Sequence, residues 1–126
     1  MNEAGKKNQW FYLQQQAKQA FLFLEARKEN GVLAAYTLGN YIPAWTGKKV
    51  YFGHWAQTPK AQEKWRKLND FYSGKYSKKE AEKFLQENKI NLVIYGEEER
   101  SIGKLKYSFL KNLYKNEKVQ IYGINR

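Results

Sequence analysis

The stretch Asn91-Leu-Val-Ile-Tyr-Gly96 decides the fold class of this 126-residue chain. An uninterrupted apolar run bounded by asparagine and glycine is typical of a strand in a sheet that is covered on both faces. Two shorter runs have the same character, residues 32–36 (Val-Leu-Ala-Ala-Tyr) and residues 49–52 (Lys-Val-Tyr-Phe). The three runs together predict a small sheet with a buried centre.

Helical patterns alternate with these strands. Residues 8–29 carry apolar side chains at helical spacing, and Asn30-Gly31 supplies a stop. Thr58-Pro59 predicts the start of a further helix, whose Trp65, Leu68, Phe71 and Tyr72 should face inward. Ser77-Lys-Lys-Glu80 is a capping box that opens another helix. Residues 38–46, which include Pro43, are predicted as a short helix or an irregular loop.

The C-terminal segment predicts a β-hairpin, in which residues 110–114 and 119–123 flank a turn at residues 115–118. The alternation of helices and strands predicts an α/β fold. We expect a small three-layer sandwich with a mainly parallel, Rossmann-like sheet and this C-terminal β-hairpin. We expect residues 1–126 to form one domain, because the length suits a single core.

The chain is strongly basic, with 23 Lys and Arg residues against 12 Asp and Glu and a formal net charge of +11. Residues 48–89 alone carry 11 basic and 5 acidic residues. Such a surface suits nucleic acid, anionic lipid headgroups or phosphate-bearing ligands. The alternative is a lysine-rich solvated face without a specific partner.

Several classes of function are disfavoured. Cysteine is absent and His54 is the only histidine, which leaves no thiolate or multi-histidine metal site. No dinucleotide fingerprint, P-loop or Gly-x-Ser-x-Gly motif occurs, so no cofactor and no catalytic residue are predicted. No apolar run approaches the length of a membrane-spanning helix and no signal peptide is visible, so we expect the chain itself to be soluble.

Rare residues gather in residues 36–59, which hold both prolines, three glycines, His54, and two of the four tryptophans, Trp45 and Trp55. Ligands bind beyond the carboxyl ends of parallel strands in open α/β sheets. If the three strands are parallel, one edge of the sheet gathers a polar set: Asn40, His54, Trp55, Thr58, Glu99 and Arg100. This set is predicted either to hold a polar ligand or to lock the loops to one another.

Each of these residues also has a structural interpretation. Asn40 is suited to capping a helix or holding a turn, and His54 to bonding a backbone carbonyl. Trp45 and Trp55 are suited to packing against the core or a loop. Residues 97–99, three glutamates, are also typical of a solvated acidic run.

The order of these segments resembles a known family. The resemblance rests on Thr46-Gly-Lys-Lys-Val-Tyr-x-Gly-His-Trp55, on Asn91-Leu-Val-Ile-Tyr-Gly96, and on Val119-Gln-Ile-Tyr122 as a final strand. It is similar to the soluble C-terminal domain that follows the transmembrane helices of multi-pass, GT-C-type (mannosyltransferase-like) glycosyltransferases. One departure is that Lys48 and Lys49 stand where an arginine is expected, which weakens any anion-binding fork there.

The resemblance implies a domain excised from a larger membrane protein, with Met1 as an added start. It implies an extracytoplasmic location and a non-catalytic role in binding a lipid-linked sugar or the acceptor. Trp55 would offer a face to a sugar ring, and Arg100 or Lys64 would contact phosphate. The implied partners are the parent's transmembrane part and anionic lipid or a lipid-phosphate sugar.

A second hypothesis is a nucleic-acid-binding module. It would use the basic helices of residues 59–89 with interleaved Trp65, Phe71, Tyr72 and Tyr76. Trp65 and Phe71 also fit a core-facing stripe, and no RNA-binding motif is present, so nucleic acid is the less favoured partner.

Overall fold

The computed structural model of the protein describes residues 3–53 and 58–124, with side chains from residue 15 onward. The elements follow one another in this order: α1 Glu3–Ala26, β1 Gly31–Leu33, α2 Tyr36–Thr46, β2 Lys49–Val50, α3 Ala61–Tyr72, α4 Lys78–Glu87, β3 Leu92–Tyr95, α5 Glu97–Ile102, β4 Leu110–Lys115 and β5 Gln120–Ile124.

Within the described residues, the strands form one mixed sheet in the order β2-β1-β3-β5-β4. The predicted parallel relationship of the first three strands is confirmed, because β1 pairs in parallel with both β2 and β3. The C-terminal hairpin is also confirmed, with β4 antiparallel to β5.

The prediction of a mainly parallel, Rossmann-like sheet is wrong in its second half. Strand β5 pairs antiparallel with β3, so two strand pairs are parallel and two are antiparallel. The tight turn makes β5 run opposite to β4, and β5 lies between β4 and β3 in the sheet. The hairpin docks against the centre of the sheet, and Ile121 is fully buried there.

Three layers are present, as predicted, because alternate strand residues point to opposite faces. Leu92 and Ile94 join an apolar cluster with α1 and α2. Val93, between them, joins a second cluster with α3 and α4. Tyr72 on α3 reaches across the layers, and its hydroxyl donates to the carbonyl oxygen of Ile94 at 2.6 Å.

Local signals locate the helices well, with corrections at some ends. Helix α1 ends at Ala26. Lys60, at φ 53°, is the N-cap of α3, so the helix begins after the predicted Thr58-Pro59 start. The capping box at Ser77 and Glu80 is present as predicted. The glutamates predicted as a strand exit or a solvated run instead form helix α5, which the sequence reading missed.

Candidate functional site

The exits of β1 and β3 meet at the carboxyl edge of the sheet. The Oε2 atom of Glu99 accepts a hydrogen bond from the backbone N–H of Ala35 at 2.7 Å. The neighbouring Glu98 accepts one from the N–H of Thr37, also at 2.7 Å. Two carboxylates on α5 thus satisfy N–H groups at the start of α2, groups that no intrahelical carbonyl can reach. The two strand exits are locked together.

Glu99 is not available to a ligand in this structure, which corrects its place among the candidate ligand contacts. The residue is fully buried, and its Oε1 atom accepts from the backbone N–H of Gly96 at 2.8 Å. Burial raises the pKa of the Glu99 carboxyl, while the bonds from Ala35 and Gly96 oppose that rise. Glu99 instead joins the loops to one another, which was the structural alternative predicted for this set of residues.

Arg100 also makes contacts that stabilise the fold. Its guanidinium lies 5.4 Å from the centre of the Tyr95 ring, and an N–H of the same group donates to the carbonyl oxygen of Lys118 at 3.2 Å. The Lys118 ammonium in turn lies 3.0 Å from the carboxylate of Glu97. These contacts fasten α5 to the turn between β4 and β5.

Three predicted residues do come together. Asn40, Thr58 and Lys64 line a cleft of about 330 Å³ between α2, the residues after β2, and α3. We call this the exit cleft. Its walls also include Pro43 and Tyr51. The volume is within the range of small-molecule sites in proteins.

The backbone explains how the exit cleft forms. Gly39 lies in α2, and a Cβ atom there would stand 2.4 Å from the carbonyl oxygen of Phe52. Glycine therefore permits α2 to rest against the chain leaving β2. The Thr58 hydroxyl accepts a hydrogen bond from the N–H of Gly53 at 3.4 Å, which joins two residues of the cleft wall.

Tyr51 lines the exit cleft but was not among the ligand contacts predicted from the sequence. Its ring lies beneath the Lys64 ammonium, with 5.3 Å between the nitrogen and the ring centre. Burial raises the pKa of the Tyr51 phenol to about 12, so the phenol stays neutral at physiological pH. The signal available in the sequence was the position of Tyr51 near the end of a predicted strand, two residues before Gly53.

His54 and Trp55, the remaining candidates, lie outside the described residues. Over residues 3–53 and 58–124, no group of three His, Cys, Asp or Glu side chains is placed to hold a metal ion. The exit cleft instead offers an amide, a hydroxyl, an ammonium group and an aromatic ring. Those groups can bind a polar, hydroxyl-rich ligand through hydrogen bonds and ring contacts.

The aromatic residues of the nucleic-acid hypothesis have another function. Phe71 and Tyr72 are fully buried, and Trp65 and Tyr76 pack against the same apolar cluster. Stacking on bases requires accessible ring faces, and the two buried rings cannot offer them. The stripe predicted to face the core does so.

No protein-family model matches the chain, and no curated protein matches it in sequence. A solved structure is similar: the C-terminal globular domain of an oligosaccharyltransferase from Archaeoglobus fulgidus. The superposition has a TM-score of 0.65 at 14% sequence identity, and covers 85% of this chain and 95% of that one. The two share a fold.

This shared fold agrees with the resemblance described from the sequence, because the solved oligosaccharyltransferase domain has the same architecture over nearly its whole length. At 14% identity the likeness concerns the fold alone. None of the helices in the described part of the chain combines the length and the apolar composition that crossing a bilayer requires.

Proposed function

We propose that this chain is a non-catalytic domain of a membrane-bound, glycosyltransferase-like protein. In that setting it assists the binding of a lipid-linked sugar or of the acceptor at the extracytoplasmic membrane face. The supporting observation is the fold shared with an oligosaccharyltransferase C-terminal domain, which extends over 95% of that domain. The mannosyltransferase character suggested by the sequence resemblance belongs to the same proposal.

The exit cleft is the surface we assign to this role. Its wall includes the partly buried Tyr51, which adds apolar surface, and Asn40, which supplies both donor and acceptor groups. Lys64 adds a positive charge at the rim, suited to a sugar-linked phosphate. Glu99 and Arg100 are both hydrogen-bonded to backbone groups of the fold, which supports a binding role rather than acid-base chemistry at this edge.

Charge supports a position beside the membrane. The formal net charge is +11, and each basic residue close to an anionic surface contributes about 1 kcal/mol of attraction. We propose the transmembrane part of the parent protein and an anionic lipid or lipid-phosphate sugar as its partners.

Co-sedimentation with vesicles tests the assignment. Vesicles of phosphatidylcholine that carry a polyprenyl-phosphate sugar should retain more protein than vesicles of equal charge made with phosphatidylglycerol. Asn40→Ala and Lys64→Gln should each remove most of that excess. Lys104→Gln is the control, since Lys104 is exposed and lies outside the exit cleft.

Equal retention on both vesicle types would contradict the assignment of the exit cleft to lipid-linked sugar. The parent-protein part has a separate check. The reading frame upstream of residue 1 should encode several membrane-spanning helices, and a gene that encodes none would contradict it.

A further inference from the structure

A second cleft, of about 440 Å³, lies at the opposite, amino-terminal ends of the three parallel strands. We call it the lysine cleft. Its wall includes three lysines and three asparagines from separate parts of the chain: Asn30, Lys49, Lys64, Asn88, Lys89 and Asn91. No aspartate or glutamate lines it.

Neighbouring acidic residues do not neutralise these lysines. Among the side chains that the structure describes, none of the three lysines forms a salt bridge. Acids that lie within two residues of Asn30, Lys64 and Lys89 in the sequence pair with other cations: Glu29 with Arg27 at 2.6 Å, Glu63 with Lys67 at 3.3 Å, and Glu87 with Lys83 at 3.7 Å. The lysine cleft therefore concentrates positive charge in a concave surface, where fields are stronger than on a flat one.

Close backbone contact holds the turn after α4 against the start of β1. A Cβ atom on Gly31 would stand 1.9 Å from the carbonyl oxygen of Lys89, so only glycine lets the turn after α4 rest on β1. The N–H of Asn91 donates to the carbonyl of Gly31 at 2.9 Å. The position of Lys89 is thus fixed relative to β1 by the backbone.

The amide side chains at the rim are also anchored. The Oδ1 atom of Asn30 accepts from the N–H of Lys49 at 3.2 Å, and the Nδ2 atom of Asn88 donates to the carbonyl of Phe84 at 2.8 Å. Side chains held by such bonds lose less conformational entropy when a ligand arrives.

Lys89 occupies a position that favours glycine. Its φ is +56°, and within the described residues it shares a positive φ with only one other non-glycine residue, Lys60. It follows the C-terminus of α4, where a left-handed residue is usually glycine. A lysine is less favourable than glycine in the left-handed conformation. The side chain gained at that position lies in the wall of the lysine cleft.

We infer that the lysine cleft binds the phosphate ester or diphosphate group of a small ligand. Ammonium groups from three segments can surround a phosphate as point charges, and asparagine amides can donate to its oxygens. The volume suits a ligand larger than one phosphate. This inference goes beyond the proposed role of the exit cleft. Lys64 and Tyr51 line both clefts, whereas Lys49 and Lys89 line the lysine cleft and not the exit cleft.

Pyrophosphate is the first probe, followed through backbone amide NMR shifts in a phosphate-free, low-salt buffer. We expect saturable shifts at Gly31, Lys89 and Asn91. The double variant Lys49→Gln/Lys89→Gln should weaken binding about tenfold or more. Lys104→Gln/Lys111→Gln removes the same charge from exposed positions outside the cleft, and should weaken binding less than about twofold.

A second arm separates a free phosphate from a lipid headgroup. Vesicles containing phosphatidic acid present a phosphomonoester at a surface. If only vesicle binding falls tenfold in the cleft double variant, the inference holds and the phosphate belongs to a lipid. If neither probe distinguishes the cleft variant from its charge-matched control, the inference is overturned.

Lys89→Gly guards against loss of folding as an explanation. Removing the left-handed lysine should raise the thermal midpoint while it weakens pyrophosphate binding about threefold or more. Weaker binding by a more stable protein can only reflect the lost ammonium group. A variant that binds both pyrophosphate and phosphatidic acid vesicles as tightly as the parent protein would exclude Lys89 from the site and overturn the inference.

Discussion

The carboxylate of Glu99 accepts a 2.7 Å hydrogen bond from the backbone of Ala35, which lies 64 residues earlier in the chain. Its second oxygen accepts from Gly96. This single side chain therefore joins the exits of two parallel strands inside the protein. The exit cleft is built on the α2 helix that begins at this contact.

Glu99→Gln should destabilise the fold, because an amide retains one acceptor oxygen where two N–H donors converge. One buried N–H would be left unpaired, at a cost of about 1–3 kcal/mol. The free energy of urea unfolding at neutral pH measures it. Glu98→Gln is the matched control, since its single bond to Thr37 can be kept by the amide oxygen. Equal losses in the two variants would argue against the two-oxygen role.

Stability should depend on pH through Glu99. Its pKa is raised in the folded state, so the folded protein binds more protons than the unfolded chain above the ordinary glutamate pKa of 4.5. The contribution of Glu99 to stability is thus complete below that pH and declines as pH rises through the folded-state pKa. The stability difference between the parent protein and Glu99→Gln should decrease over that window.

Carboxyl ¹³C titration provides the direct measurement. The Glu99 resonance should titrate at higher pH than that of Glu80, whose pKa is lowered by hydrogen bonds from Ser77. A Glu99 titration at or below that of Glu80 would show that the backbone bonds outweigh burial.

Lys48 is expected to stabilise the segment between α1 and β1. Its ammonium group is buried and donates to the carbonyl oxygens of Arg27 and Glu29, at 2.7 and 2.5 Å. Lys48→Met keeps the apolar stem and removes both bonds, which should cost about 1–3 kcal/mol in urea unfolding. Lys49→Met, at the exposed next position, should change stability by less than about 0.5 kcal/mol. A similar effect of both would contradict a stabilising role for the two Lys48 hydrogen bonds.

Gly39→Ala should destabilise the protein and distort the exit cleft. The new methyl group would stand 2.4 Å from the Phe52 carbonyl oxygen, and such overpacking costs about 1–3 kcal/mol. Thermal unfolding checks the stability, and amide NMR shifts of residues 50–53 check the displacement. Asn40→Ala, one residue later on α2, is the control. An unshifted spectrum in Gly39→Ala would mean that the two segments separate without cost.

Much of the local structure could be predicted. The Ser77–Glu80 capping box, the buried stripe of Leu68, Phe71 and Tyr72, and the C-terminal hairpin are all where the patterns indicated. Each depends on residues within a few positions of one another, so their chemistry can be read directly. The parallel relationship of β1, β2 and β3 also followed, because helices connect them.

The candidate site was predicted only in part. Asn40, Thr58 and Lys64 share the exit cleft, whereas Glu99 and Arg100 hold the framework. In the sequence four of the five are polar residues that follow a predicted strand, and Lys64 lies in a predicted helix. Burial separates them, and burial depends on how α5 packs against the start of α2 and the hairpin turn.

The sequence by itself determined helices α1, α3 and α4 in outline, the capping box of α4, the apolar strands and the basic surface, because periodicity, capping and charge are local properties. Only the tertiary structure decided that β5 joins the sheet antiparallel beside β3, that Glu99 and Lys48 are buried, and that three distant lysines line one cleft. Desolvation and long-range contact produce these features, and both arise only when segments far apart in the chain meet.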